Sequence, residues 1–285
     1  MLTTEQKMFL ARVTQSAVMF WRSILHRSPI ARVRRSGLNW ELDLREGIDF
    51  SIWLLGSFEP TTVAAYSRYL RPGQVVLDIG ANIGAHTLPM ARLVGDAGKV
   101  VSFEPTSYAY GKLCDNVSAN SKLANRIQCV QAMLIDSDLG QVPDQLYSSW
   151  PLGREQDVHE LHLGKLMSTE GARAATLDTL VGELGPERVD FIKLDIDGFE
   201  PRMFRGATQV LQRWRPTIIM ELAPYVLKEE GSSLAELIEI LAANSYSLWQ
   251  LDGVTKLPMD YAELDGIIPR GSSLNVIAMV GRSDV

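Results

Sequence analysis

The run Val75–Thr87, VVLDIGANIGAHT, constrains this chain more than any other stretch. Three apolar residues, Val75, Val76 and Leu77, lead into an acid, Asp78, and a glycine-spaced turn follows at once, Gly80-Ala81-Asn82-Ile83-Gly84. A parallel strand entering a tight turn and then a helix has this pattern. Such a helix would turn free N–H groups and the positive end of its dipole toward a ligand. The next apolar run, Val100-Val101-Ser102-Phe103, also ends in an acid, Glu104. An acid about 20 residues beyond a glycine turn is where α/β folds hold an adenosine ribose. Turn and acid together point to a nucleoside cofactor.

The spacing narrows the choice. A dinucleotide site uses G-x-G-x-x-G, whose second glycine lets the backbone approach a pyrophosphate. Asn82 holds that position here. Asparagine is among the few residues besides glycine that adopt positive φ, so the turn survives while the pyrophosphate approach does not. Asp78 at the entry to the turn would repel a pyrophosphate and suits the sulfonium and amino group of S-adenosylmethionine. A dinucleotide, and a glycine turn serving packing alone, are the alternatives.

With 285 residues, 46% hydrophobic and 22% charged, the chain can build one large α/β domain with a small N-terminal extension. Cys114 and Cys129 are too few for a disulfide scaffold, form no CxxC pair, and read as buried free thiols, which fits a cytoplasmic location. No apolar stretch approaches the ~20 residues a membrane-spanning helix requires. Charge is uneven. Met1–Arg35 carries seven cations (Lys7, Arg12, Arg22, Arg27, Arg32, Arg34, Arg35) against one acid, Glu5, so this segment is +6 and the remainder −12. Phe9, Val13, Ala17, Trp21 and Ile24 recur there at helical spacing, giving a basic amphipathic arm over residues 1–36 ahead of a domain over 37–285. Such an arm can pack on its own domain, form a homodimer, lie peripherally on a membrane or act as a transit peptide. No nucleic-acid partner is expected.

Alternating Leu38, Trp40, Leu42 and Leu44 predict a strand, the apolar segment Ile48–Leu55 follows, and Thr61–Leu70 reads as a helix. Then the α/β rhythm begins: strand Val75–Ile79, helix Ile83–Leu93, strand Val100–Phe103, helix Ser107–Asn120, strand Ile127–Met133. It breaks over Leu134–Ala175, a polar stretch expected to roof the substrate site. His159-Glu160-Leu161-His162 within it is not HExxH and reads as a solvated pair rather than a metal site. Strands return at Phe191–Leu194 and Thr217–Met220, with helix Ser233–Ala243 and closing strands near Leu248–Leu251 and Leu274–Val280 that could pair antiparallel.

Ligands of open α/β sheets gather beyond the C-terminal ends of the strands. Four such ends carry acids, Asp78, Glu104, Asp195 and Glu221, with Asp197 and Glu200 close behind Asp195. The spacing does not match an EF-hand, although a magnesium ion on Asp195, Asp197 and Glu221 is an alternative. The favoured division has these acids orienting cofactor and substrate and accepting a proton, with no metal assigned.

At this point the chain resembles the FkbM-type S-adenosylmethionine-dependent methyltransferases. The matching segments are Phe58-Glu59-Pro60, Val76–Gly84, Phe103-Glu104-Pro105, Thr176-Leu177-Asp178-Thr179-Leu180, Asp190–Glu200 and the strand ending at Glu221. Departures are small: Asp197 stands where the family often has Glu, and His86 where it often has an aromatic. The resemblance implies a Rossmann-like seven-stranded methyltransferase sheet with helices on both faces, and O-methylation of a hydroxyl on a sugar, glycan, polyketide or related small molecule. It also implies cofactor contacts from Glu59, Asp78, Gly80, Ala81, Asn82, Gly84 and Glu104, with Met133 near adenine. An alcohol needs a base, for which the candidates are Asp195, Glu221, Glu200 and His86, with Asp195 favoured and Glu221 in support. The rival readings are a non-catalytic, membrane- or partner-docked binding module of the same fold, and an NAD-dependent dehydrogenase.

Overall fold

The computed structural model describes residues 4–152 and 164–281, with side chains from residue 11 onward. The solvated pair expected at His159 and His162 lies outside them. The chain opens with α1 (Thr4–Ile24), the hairpin β1 (Ile30–Arg35) and β2 (Leu38–Asp43), α2 (Gly47–Leu55) and α3 (Pro60–Ser67). The first half of the sheet follows: β3 (Val75–Ile79), α4 (Thr87–Leu93), β4 (Lys99–Phe103), α5 (Ser107–Ser118), α6 (Ser121–Ala124) and β5 (Ile127–Val130). An excursion holds β6 (Ala132–Leu134), β7 (Gln145–Ser149), β8 (Lys165–Ser168) and β9 (Arg173–Ala175). The second half runs α7 (Leu177–Leu184), β10 (Phe191–Leu194), α8 (Glu200–Arg205), α9 (Thr208–Trp214), β11 (Thr217–Leu222), α10 (Pro224–Glu229), α11 (Leu234–Ala243), β12 (Tyr246–Gln250), α12 (Tyr261–Ile267) and β13 (Leu274–Val280).

Seven strands make one sheet in the order β12-β13-β11-β10-β3-β4-β5. The five from β11 to β5 are parallel, and β13 is antiparallel to both β11 and β12. β3 and β10 are buried at every position because helices cover both faces, which is why both read as nearly unbroken apolar runs. On one face Leu77, Val101, Ile192, Ile218 and Val276 join the core cluster that includes residues of α7, α8, α9 and α11. On the other, Val76, Val100, Phe191, Ile219 and Ile277 pack with Ala65, Tyr66, Met90 and Ala91 of α3 and α4. Asp78 is level with Lys193 on the neighbouring strand. The order reverses direction at the β10–β3 junction, so the ends of these two strands flank the crevice where ligands of such sheets bind.

The Thr176–Leu180 motif has a structural task. Thr176 Oγ1 caps α7 by accepting from Thr179 N, and the Asp178 carboxylate accepts from Gln209 N and Val210 N, capping α9.

Several expectations need correction. The helix expected from Ile83 begins at Thr87, and residues 82–86 form a turn ahead of it. The strand expected over Ile127–Met133 breaks at Gln131, and β6 leaves the main sheet to pair with β9. Cys114 and Cys129 are free but only half-buried. On the apolar face predicted for the arm, Val13, Ala17, Trp21 and Ile24 point outward; Phe9 lies outside the described side chains. The packed stripe is Ala11, Gln15, Val18 and Met19, with Gln15 Nε2 donating to Leu44 O at 3.2 Å. No described helix is long and apolar enough to cross a membrane.

Candidate active site

The glycine turn is pinned on three sides. Gly80 has φ +79°, and a Cβ there would come 1.8 Å from Asp195 O, so only glycine lets the loop after β3 touch the loop after β10. Gly84, φ +88°, leaves room for Leu113 of α5. Asn82 adopts φ +47°, and its Oδ1 accepts from Ile83 N. The turn's own donors are consumed: Gly80 N and Ala81 N donate to Phe103 O, Asn82 N to Glu104 Oε2, and Gly84 N to Ala81 O. The expected display of free N–H groups to a ligand is therefore absent at these positions. The turn offers close approach and a carboxylate instead.

Glu104 is wholly enclosed. Its Oε1 accepts from Thr106 N at 2.9 Å, Thr106 Oγ1 at 2.6 Å and Ser148 Oγ at 3.3 Å, and burial still leaves its carboxyl above the usual range despite these bonds. Ser148 O also accepts from Asn82 Nδ2 at 3.0 Å. Through Ser148 the described part of the excursion after Leu134 thus covers the glycine turn and Glu104. Asp78 is fully buried; Oδ2 accepts from Thr87 Oγ1 at 2.5 Å, and Oδ1 has no partner. Met133 is buried on β6 level with Ala174.

A second group forms at the ends of β10 and β11. One carboxylate oxygen from each of Asp195, Asp197 and Glu221 lies within 4.8 Å of the others, and all three residues are half-buried. Lys193, 3% exposed, donates from Nζ to Asp195 Oδ2 at 3.0 Å. Burial acts to lower the Lys193 ammonium, but the charges of Asp195, Asp78 and Glu59 outweigh it and hold it above the ordinary lysine value. Asp197 and Glu221 are pushed well up by burial and then by neighbouring carboxylates, Asp195 first in both cases; Ser273 Oγ donates to Glu221 and offsets part of the shift. Both Asp197 and Glu59 sit at positive φ, +47° and +43°, a conformation that costs acids energy and clusters at functional sites.

Glu59 joins this second group rather than the glycine turn. His86 Nε2 lies 3.6 Å from Glu59 Oε2. Burial alone would raise the Glu59 carboxyl, but His86 and Lys193 bring it down to about 2. His86 itself is buried at the head of α4, between the rings of Phe58 and Tyr66 at 5.9 and 5.8 Å. Glu200 turns back on its own loop, where Oε1 accepts from Ile196 N at 3.3 Å and Gly198 N at 3.4 Å, and burial lifts its carboxyl to about 7. Of the four candidate bases, the structure brings Asp195 and Glu221 together, while Glu200 bonds to its own loop and His86 stands beside Glu59. Sequence reasoning passed over Lys193, Ser148 and Ser273. A lysine inside a fully buried strand was the readable signal, since lysine is rarely buried without a partner.

The model of the Methyltransferase FkbM domain matches residues 78–248, more than half of the chain. No curated protein matches it at a significant level. Solved structures that resemble it include methyltransferase FkbM from Methylobacillus flagellatus, at 16% identity and TM-score 0.45 over 78% of this chain and 48% of that one. Precorrin-6y C5,15-methyltransferase from Geobacter metallireducens aligns at 14% identity and TM-score 0.43, over 78% and 87%. A SAM-dependent O-methyltransferase from Thermotoga maritima aligns at 13% and 0.42, over 93% and 83%. With the glycine turn, Glu104, Lys193 and the strand-end acids Asp195, Asp197 and Glu221 all inside the matched span, the chain belongs to the FkbM methyltransferase family, whose methyl donor is S-adenosylmethionine.

Proposed function

We propose that this methyltransferase acts on a hydroxyl oxygen of a small molecule, a sugar, polyketide or related metabolite. The observation that carries the reading is the half-buried carboxylate group of Asp195, Asp197 and Glu221 at the ends of β10 and β11, on the edge of the sheet where ligands gather.

The residues present fit S-adenosylmethionine. Around the crevice stand five carboxylates, Glu59, Asp78, Asp195, Asp197 and Glu221, with Lys193 and His86 as the cationic or titratable partners. A cationic ligand complements that excess, and the unpartnered Asp78 Oδ1 is a buried acceptor awaiting a donor. Glu104 already accepts O–H donors from Thr106 and Ser148, the kind of group a ribose presents. Asp78–Gly84 and Glu104 would hold the cofactor, which supplies an electrophilic methyl on a sulfonium.

The chain's own part is to place the acceptor oxygen and take its proton. An aliphatic alcohol is a poor nucleophile at neutral pH, so a base within hydrogen-bond reach must accept the proton as the new bond forms. Asp195 is assigned that role. Lys193 holds its Oδ2 and leaves Oδ1 without a bond from any described residue. Glu221 and Asp197, pushed up by burial, favour the protonated state and can donate to the acceptor or relay the proton onward. Holding the acceptor in line accounts for much of the remaining acceleration.

A divalent cation on Asp195, Asp197 and Glu221 is the second reading, favoured by their 4.8 Å grouping. The Lys193 ammonium already bound to Asp195 weighs against it. The test is a screen of sugar and polyketide acceptors with methyl-labelled cofactor, reading the linkage in the product with and without chelator. An O-linked methyl formed in the presence of chelator is expected. A methyl on nitrogen or carbon, or activity lost to chelator and restored by magnesium, would overturn the reading.

A further inference from the structure

We propose that the outward face of α1 docks on an anionic lipid surface. The helix carries two opposed apolar stripes. One, Ala11, Val18 and Met19 beside Gln15, packs on the core cluster that contains Trp40, Leu42 and Leu44. The other, Val13, Ala17, Phe20, Trp21 and Ile24, lies on the far side, where Phe20 and Trp21 are each 62% exposed and Ile24 50%. Leu25, just past the helix, is 59% exposed. The rings of Phe20 and Trp21 meet edge to face at 5.9 Å, so they form one apolar block. Packing on its own domain therefore leaves this second stripe without a described partner.

Charge decides what covers it. His26 and Arg27, both exposed, follow directly after the stripe, and Met1–Arg35 as a whole is +6 while the rest of the chain is −12. A molecule so polarised is turned arm-first toward a negative surface and repelled by it elsewhere. A second copy placed stripe to stripe would instead bring two +6 segments into one interface. An interfacial helix with aromatic and aliphatic side chains on one face and arginine nearby settles at the headgroup boundary of anionic membranes.

The experiment uses the full chain. Flotation with phosphatidylcholine vesicles containing phosphatidylglycerol, and with pure phosphatidylcholine, is compared for the wild type and for the triple variant Phe20→Ser, Trp21→Ser, Ile24→Ser. The wild type is expected to float with the anionic vesicles, less so as salt rises, and to bind neutral ones weakly. The triple variant should lose about tenfold or more in partitioning per side chain removed. Its thermal midpoint and its affinity for S-adenosylhomocysteine should be unaltered, since these side chains face away from the fold. Arg27→Glu with Arg34→Glu should weaken anionic binding without touching the apolar stripe. Equal vesicle binding by wild type and triple variant would overturn the proposal. So would no binding by the wild type, or a dimer in sedimentation equilibrium that the triple variant converts to monomer.

Discussion

Lys193→Met keeps the length of the side chain and removes one buried charge. Nζ lies 3.0 Å from Asp195 Oδ2, and the residue is 3% exposed, so the pair is shielded on the lysine side. Removing one member of a buried ion pair costs about 3–5 kcal/mol, because the remaining charge is stranded. The Asp195 side chain is 31% exposed and water replaces part of the lost interaction, which points to the lower end, about 3 kcal/mol. For a chain of this size each kcal/mol moves the midpoint by roughly 2–4 °C, so a drop of about 6–12 °C is expected. The sign with pH follows from linkage. Lys193 is held above 10.5, so its stabilisation is fully present below that value and is lost only as pH rises through the folded one. The wild type therefore keeps it whole between about pH 6 and 8. In the variant the carboxylates lose their counter-charge and favour their protons more strongly. A group that binds more protons folded than unfolded costs stability as pH rises, so the deficit should be larger at pH 8 than at pH 6. Differential scanning calorimetry at the two values measures it. A variant that melts within about a degree of the wild type at both would refute the argument that Lys193 neutralises this group.

Three further outcomes test other parts of the account. Gly80→Ala should destabilise by well over the ~1 kcal/mol of an ordinary glycine substitution at positive φ, because the new Cβ meets Asp195 O; an unchanged urea midpoint would contradict that packing. Glu200, lifted to about 7 by burial, holds a proton in the folded state, so stability should fall by about 3 kcal/mol as pH rises from the ordinary glutamate range through neutrality. Glu200→Gln should flatten that slope in denaturant titrations, and an undiminished slope would place the titrating group elsewhere. Glu104→Ala should weaken S-adenosylhomocysteine binding about tenfold or more by calorimetry, through loss of charge-assisted bonds worth ~1.5–3 kcal/mol each; equal affinity in a folded variant would move the ribose away from Glu104.

The sheet was legible in the sequence where burial made strands continuous and apolar, as in β3, β4 and β10, and where strand ends carried acids. The glycine turn, with Asn82 at positive φ, was legible for the same reason, a local backbone demand. Long-range pairing was legible only for the closing strands, β12 and β13, which pair antiparallel as expected. Nothing near Leu274 states that β13 will insert between β11 and β12, and β6 leaves the sheet for a partner some forty residues on. The stripe of α1 that packs on the domain was not legible, because the helix is apolar on two sides and periodicity alone does not say which side packs. Asp195 and Glu221 were brought together as expected from neighbouring strands, while the pairing of Glu59 with His86 was not legible. The position of Glu59 depends on a left-handed residue ahead of α3, a choice the chain makes only in context.

The most direct test of the central claim is single-turnover methyl transfer by Asp195→Asn, once an acceptor is in hand, with cofactor affinity measured alongside. The substitution keeps the size of the side chain and an acceptor for Lys193 but removes the capacity to take a proton. The account predicts affinity for S-adenosylhomocysteine within a few-fold of the wild type and a rate lower by the ~10²–10⁴ of a lost general base. Transfer at the wild-type rate, with the fold and cofactor binding intact, would contradict it.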